Sequence, residues 1–421
     1  MSMSTPRRGR GTLALAAGAT GTVLLLALAA CTGGVAESAH TQTLIPRLAI
    51  TPGDGLHNVR PGAGIMVRAT NGTLREVRVQ TGGDPVAGRL SDHATVWHSM
   101  LPLNTSRHFT VTATAGDSGG KVVTATSSFT TLKPGKTFAA ATIEGYRQRY
   151  GVGMPIILNF SHAITRKAAI ERAIQLRTSR RVVGAWYWDG DKTLYFRPRT
   201  YWPQNTRVTF DARFDGVAGA PGVYGTHDLT QTFEIGPSLI VVASTRTHYL
   251  RVYYKRRLQW TWPISTGRPG DDTPDGTYVT IDKGNPVDMV GPGYNLEVPW
   301  SVRFTWSGDY IHDAYWSVGE QGVTNVSHGC VNTSPAHAQQ YYELAVPGDP
   351  VTVTGSPRAG TWGDGWTVWF LSWKRLLRGS ALHQAVVAGP GGSSLVSPAD
   401  APVGLAEAPL NAPRPGNARV S

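Results

Sequence analysis

The sequence predicts a mainly β chain, with two immunoglobulin-like β-sandwich modules followed by a third β-sandwich domain carrying one short helix. Short runs in which apolar and polar residues alternate predict it, because a strand repeats its facing every two residues. The 49 glycines and 28 prolines predict it again, since they cut the chain into short elements joined by turns. The third observation is charge: only 16% of the 421 residues are charged, below the roughly 25% of an ordinary soluble domain. That count excludes long solvated helices, coiled coils and a disordered polyelectrolyte. Hydrophobic residues, at 41%, suffice for real cores. The length accommodates two to four domains at about 150 residues each.

The first thirty residues read as an export signal. Arg7, Arg8 and Arg10 precede an apolar run from Leu13 to Ala30 that ends in small residues. Gly18, Thr20, Gly21 and Thr22 weaken a transmembrane reading of the same run. Leu28-Ala29-Ala30-Cys31 resembles a bacterial lipobox. The resemblance implies cleavage before a diacylated Cys31, a tether over residues 31–45, and an anchor on the outer face of the membrane. An ordinary signal peptide with an incidental cysteine is the alternative.

A first sandwich is expected over residues 46–134. Leu74, Val77 and Val79 lie in one strand-like run, and Phe109, Val111 and Ala113 alternate in another. Lys133-Pro134-Gly135-Lys136 reads as a linker into a second module over 135–236. There Val208, Phe210, Ala212 and Phe214 alternate, as do Leu229, Gln231, Phe233 and Ile235 less perfectly. One short helix is expected, capped by Thr165 and running through Ala168, Ile170 and Ile174. Phe129 and Phe233 sit 104 residues apart in similar closing strands, a faint internal repeat. Neither module holds a catalytic cluster, so both read as spacers, with His162 and Asp215 as surface or turn residues.

The texture changes over residues 237–356. Ile240-Val241-Val242, Tyr249 to Tyr254, and the alternating Trp260, Trp262 and Ile264 read as strands. Turns are expected at Thr266-Gly267-Arg268-Pro269 and from Thr273 to Tyr278. Ser334-Pro335 reads as the cap and first residue of a helix through Ala338, Tyr341 and Leu344. After a last strand at Val351 to Val353, residues 357–378 carry Trp362, Trp366, Trp369 and Trp373. Packing on the preceding domain is the expected role of these tryptophans, glycan contact the lesser one. Residues 379–421, rich in Gly, Pro, Ala and Ser, are expected to be disordered.

Two cysteines exclude a disulfide scaffold and a four-cysteine zinc site. The net charge of +12 suits an anionic surface or polymer, and no nucleic-acid motif accompanies it. Cys330 is the thiol that would remain free, and an exported protein rarely keeps one without a use. It lies in Ser327-His328-Gly329-Cys330-Val331-Asn332, with His328 two residues away and His312 on a segment that can return as a neighbouring strand. An imidazole and a nearby helix N-terminus would favour the thiolate. Gly329 would let backbone N–H groups approach as an oxyanion hole.

At these residues the chain resembles the L,D-transpeptidases, in the class that joins a lipobox and two immunoglobulin-like domains to the catalytic domain. The resemblance runs from Cys31 to about Trp373. It implies a mostly β catalytic sandwich with a short helix beside the cysteine. It also implies cleavage between the third and fourth residues of a donor peptidoglycan stem, with D-alanine released. The third residue is then joined to an acceptor stem as a 3→3 cross-link. Cys330 would be the nucleophile, His312 the general base, and the backbone of Ser327, His328, Gly329 and Cys330 the oxyanion loop. Tyr294, in Gly293-Tyr294-Asn295, matches the lid tyrosine, with Met289 in the same lid. Ser307 and Gly308 match substrate-contacting strand residues, and Asn332 a further binding position. Asp313, where the class often has serine, would orient His312 through its carbonyl, and its carboxylate is expected to raise the imidazole pKa. No cofactor or metal is implied; Ala218 to Gly222 offers no carboxylate for the calcium known in relatives. Carbapenems are the expected covalent inhibitors.

Four other readings weigh against this one. Cys330 as a buried structural residue fails to explain the wider motif. Zinc held by His312, His328, Cys330 and His337 lacks a recognisable closed spacing. A sortase-like transpeptidase needs an arginine soon after the cysteine, and the first is Arg358. A non-catalytic cell-wall-binding lipoprotein predicts no acylation of Cys330.

Overall fold

The computed structural model describes residues 45–145, 147–291 and 294–400. The export signal, Cys31, most of the tether, Gly293 and residues 401–421 lie outside the described residues.

The first module packs two four-stranded sheets. One runs in the order Arg47–Thr51, Met66–Thr70, Val96–Ser99 and Gly88–Ser91, the other Asp84–Pro85, Thr73–Thr81, His108–Gly116 and Val122–Thr130. Phe109, Val111 and Ala113 point inward as their alternation requires, and Phe109 stacks on its cross-strand partner Phe129 at 5.4 Å. In Thr73–Thr81, Leu74 and Val79 are buried although they stand five positions apart, an odd step that should face them oppositely. A bulge between Leu74 and Glu76 resets the facing, which explains why that run alternates imperfectly.

The second module opposes a six-stranded and a four-stranded sheet around Trp186, Trp202, Phe196, Phe210 and Phe233. Its helix spans only Lys167–Arg172. Arg166, not Thr165, holds the cap position, and Ile174 opens a strand whose pairing with Ala212 ends the helix. Asp215, expected at the surface or in a turn, ties the two modules together. Its carboxylate accepts from Asn104 Nδ2, Thr105 N–H and Thr105 Oγ1, each at 2.9 Å.

Of the disorder expected over residues 379–421, the part up to residue 400 is corrected by the structure, and residues 401–421 lie outside the described residues. Ala385–Gly389 and Gly392–Val396 form a hairpin, and Val386 to Ala388 pair with Val182 to Gly184 to extend the second module's large sheet. The glycines that suggested disorder make the hairpin turn, with Gly392 at φ 113°, while Ala385, Val386 and Ala388 bury. The tryptophan-rich segment, expected to pack on the preceding domain, packs mainly on the second module, while Phe370 and Trp366 meet Tyr278 and Trp306 of the third domain. Trp369 Nε1 donates to Gly153 O and Trp362 Nε1 to Asp189 Oδ2. Arg197, 1% exposed, donates to the carbonyls of Val368, Leu371 and Pro198. Burial lowers its pKa to about 9, yet three carbonyls compensate the guanidinium.

The third domain sets a five-stranded sheet against a four-stranded one. The first runs Arg257–Pro263, Tyr249–Tyr254, Leu239–Ser244, Pro350–Thr354 and Gly276–Val279; the second runs Lys283–Gly284, Ser301–Arg303, Tyr310–Asp313 and Val331–Thr333. Gly276 to Tyr278, expected in a turn, are therefore the start of a strand paired with Pro350–Thr354. A separate hairpin, Val287–Gly291 with Tyr294–Val298, stands beside the sheet. The helix Pro335–Leu344 begins as its sequence predicts: Ser334 Oγ accepts from the His337 N–H, and Pro335 follows it.

Candidate active site

Two adjacent parallel strands position His312 and Cys330. Tyr310–Asp313 pairs with Val331–Thr333 so that His312 lies opposite Asn332. Side chains two apart on a strand share a face, so Cys330, just ahead of the second strand, faces the same way as Asn332 and His312. Both Cys330 and His312 line a cavity of about 320 Å³, with Met289, Tyr294, Leu296, Trp316, Ser327, His328 and Asn332 also in its wall. Met289 and Leu296 are cross-strand partners in the hairpin, so the hairpin forms one side of the cavity. Tyr294 packs over His328 with ring centroids 5.1 Å apart.

His312 is buried, and its Nδ1 lies 2.6 Å from the carbonyl of Asp313. A carbonyl only accepts, so Nδ1 carries the proton and Nε2 keeps its lone pair. The carbonyl thus holds the imidazole as expected, but the carboxylate does not raise its pKa. Burial dominates and lowers His312 to about 4, opposed only by the Asp313 backbone hydrogen bond. The Asp313 carboxyl is itself raised by burial, and its Oδ1 has no hydrogen-bond partner.

Cys330 is half-buried on the cavity wall, and its Sγ donates to the Gly308 carbonyl at 3.7 Å. The expected thiolate is corrected: burial first, then the Asp309 carboxylate, push the thiol up to about 12. Proximity to a helix end is outweighed because desolvation acts on the whole charge. Both shifts favour the uncharged forms, a neutral thiol and a neutral imidazole on one cavity wall.

Ser327 braces the loop before the sulfur, donating through Oγ to Cys330 O at 2.6 Å and accepting from Gly329 N–H at 3.2 Å. Gly329 has φ 128°, and a Cβ there would stand 2.5 Å from Asp309 Oδ1. Asn332 donates from Nδ2 to Ser317 Oγ at 2.9 Å. Ser307 and Gly308, expected on a strand, occupy the turn between Ser301–Arg303 and Tyr310–Asp313. Asp309 N–H donates to Thr305 Oγ1 and Phe304 N–H to Asp309 O, which closes the turn, and Gly308 takes φ 106°. Ser307 is outside the cavity wall, and Gly308 meets the sulfur through its carbonyl.

The sequence reading did not single out Trp316, which stacks near His312 at 6.0 Å, or Asp309, a buried carboxyl raised to about 6 mainly by burial. Asp309 stands two residues beyond the matched Ser307, a position that draws attention only once the turn is seen. His337 stacks on Trp262 at 4.8 Å, and among the described residues no three His, Cys, Asp or Glu side chains converge as metal ligands.

Residues 238–353 match the family model of the L,D-transpeptidase catalytic domain, and residues 56–218 that of a bacterial Ig domain. L,D-transpeptidase 5 of Mycobacterium tuberculosis is 34% identical, the match covering 88% of this chain and 85% of that protein. L,D-transpeptidase 2 of the same organism is 32% identical over 77% of this chain and 84% of its own length. A solved LD transpeptidase in complex with imipenem is 34% identical, with a TM-score of 0.44, over 53% of this chain and all of that one. Two long relatives and the catalytic-domain match agree with the cysteine and histidine on one cavity: the chain belongs to the L,D-transpeptidase family.

Proposed function

We propose that this protein is a peptidoglycan L,D-transpeptidase that forms 3→3 cross-links through a thioester on Cys330, with release of D-alanine. The observation that carries the reading is the shared cavity of Cys330 and His312, with the Nε2 lone pair left free by the Asp313 carbonyl. Nε2 takes the thiol proton as sulfur attacks the donor-stem carbonyl carbon. The oxyanion is received by the backbone N–H groups of His328 and Cys330, those of Ser327 and Gly329 already donating to Thr266 O and Ser327 Oγ in the braced loop. The tetrahedral intermediate expels the amine of D-alanine, which takes the proton back from Nε2. An acceptor-stem amine then attacks the thioester, giving its proton to Nε2, and the departing sulfur recovers that proton. The thioester conserves the acyl group's activation, so no nucleotide is required. Tyr294 and its hairpin cover the cavity and favour the amine over water.

Intact-mass measurement after incubation with imipenem tests the assignment. Wild type is expected to gain one equivalent of the drug, and Cys330→Ala none. An unmodified wild type would favour the non-catalytic wall-binding reading, and a modified Cys330→Ala would place the nucleophile elsewhere. Muropeptide analysis of the reaction with tetrapeptide stems then reads the cross-link.

The protein is also placed on the outer face of the membrane by a lipid on Cys31, a reading supported by the lipobox-like Leu28-Ala29-Ala30-Cys31. Cell fractionation is expected to find wild type in the membrane, and Cys31→Ala among the released or unprocessed protein. Equal membrane retention of a processed Cys31→Ala would refute the anchor.

A further inference from the structure

The tryptophan-rich C-terminal segment reaches toward the reacting sulfur through one carboxylate. Asp364 Oδ1 accepts from the Ser307 N–H at 2.7 Å, and its Oδ2 accepts from Ser307 Oγ at 2.6 Å. Both oxygens therefore grip a single residue of the 305–309 turn. Ser307 Oγ stands 3.2 Å from Thr305 Oγ1, which donates to Asp309 Oδ2 at 2.9 Å. The turn so closed presents the Gly308 carbonyl to Cys330 Sγ at 3.7 Å.

The carboxylate is itself held in place. Gly365 follows it at φ 108°, where a Cβ would stand 2.8 Å from the Phe304 carbonyl, so only glycine lets the two segments approach. Trp366 meets Trp306 edge to face at 6.1 Å, and Trp362 on the other side is bonded to Asp189 of the second module. An exposed turn with a glycine at its tip has freedom of its own, and a two-point charged grip removes it.

We propose that Asp364 is a positioning residue for acylation: by holding Ser307 it sets the turn whose Gly308 carbonyl faces the Cys330 sulfur. The proposal rests on Cys330 being the nucleophile. The C-terminal extension is then part of the catalytic apparatus, although it contributes no reacting group. Its influence travels through Ser307, so loss of either partner has the same consequence.

Two reagents separate this role from a merely structural one. Imipenem must be oriented to acylate Cys330, whereas iodoacetamide is small and needs no positioned partner. In the full chain, Asp364→Ala and Ser307→Ala are each expected to slow imipenem acylation by about 10-fold or more, because small misplacements of reacting groups are costly. The double variant is expected to be no slower than the slower single one. Alkylation by iodoacetamide is expected to change by less than about 3-fold, an oriented reaction being the one that depends on geometry. Asp364→Asn is expected to recover part of the loss, since its Oδ1 still accepts from the Ser307 N–H. Wild-type acylation by Asp364→Ala would overturn the proposal, as would effects that multiply in the double variant. A parallel fall of both reagents' rates would overturn it in favour of local unfolding. If wild type itself is not acylated at Cys330, the proposed function fails first and takes this inference with it.

Discussion

Replacing His312 with alanine is expected to slow Cys330 acylation by imipenem about 10³-fold, within the range that positioned general bases contribute. The loss is large because the resting sulfur has little thiolate of its own. Burial holds the thiol up to about 12 and the imidazole down to about 4, so the proton must move as the S–C bond forms. The pH dependence has a definite sign. His312 works only when neutral, so the acid limb of the wild-type rate is expected near pH 4, with a broad plateau from about pH 5 to 9. Asp309, raised to about 6, adds negative charge beside the sulfur as it ionises, so any step within the plateau runs downward with rising pH. Imipenem is the right reagent because an acceptor amine would add its own ionisation. Asp313→Ser is expected to keep the same profile, since the imidazole is held by that residue's carbonyl rather than its carboxylate. A rate rising tenfold per pH unit through the neutral range would show that solvent ionisation of the thiol, not proton transfer to His312, limits attack, and would refute the general-base role. A shifted acid limb in Asp313→Ser would restore the carboxylate's influence.

Gly329→Ala is expected to cost acylation about 10²-fold, the scale of an ångström of misplacement at the reacting centre. At φ 128° an L side chain is strained whatever the space, and here the space is also missing: the added Cβ would stand 2.5 Å from Asp309 Oδ1. Neither side yields easily. Thr273 Oγ1 donates to the Gly329 carbonyl at 2.6 Å and Ser327 Oγ accepts from its N–H at 3.2 Å, while Thr305 holds the opposing carboxylate. Strain of about 1–3 kcal/mol is expected to appear as a melting temperature lowered by a few degrees. Gly319→Ala is the control, because a Cβ there meets nothing within 4 Å. Near-wild-type acylation by Gly329→Ala would show that the loop before the sulfur need not keep this shape.

Much of the β architecture was legible because strand facing is local. Phe109, Val111 and Ala113 announce one buried face, and Ser334-Pro335 announces a helix start, without reference to anything distant. Where a distant partner intervened, the local reading slipped. The bulge after Leu74 shifted an alternation, and pairing with Ala212 turned Ile174 from helix to strand. The glycine-rich 389–392 stretch resembled a disordered tail because the hairpin it closes is held by Val182 to Gly184, some two hundred residues earlier, which pair with Val386 to Ala388.

The sequence by itself determined the residue types that the proposed chemistry needs: Cys330, His312 eighteen residues before it, and Ser327 and Gly329 in the loop leading to the sulfur. Their types and spacing suffice because neighbouring strands convert register into proximity. Only the tertiary structure decided their protonation and their support. Burial is a sum over every element packed around a group, so the neutral thiol and neutral imidazole cannot be read from a local motif. The grip of Asp364 on Ser307 joins residues 57 positions apart, and the closure that makes them neighbours belongs to the packed chain, not to any stretch of it.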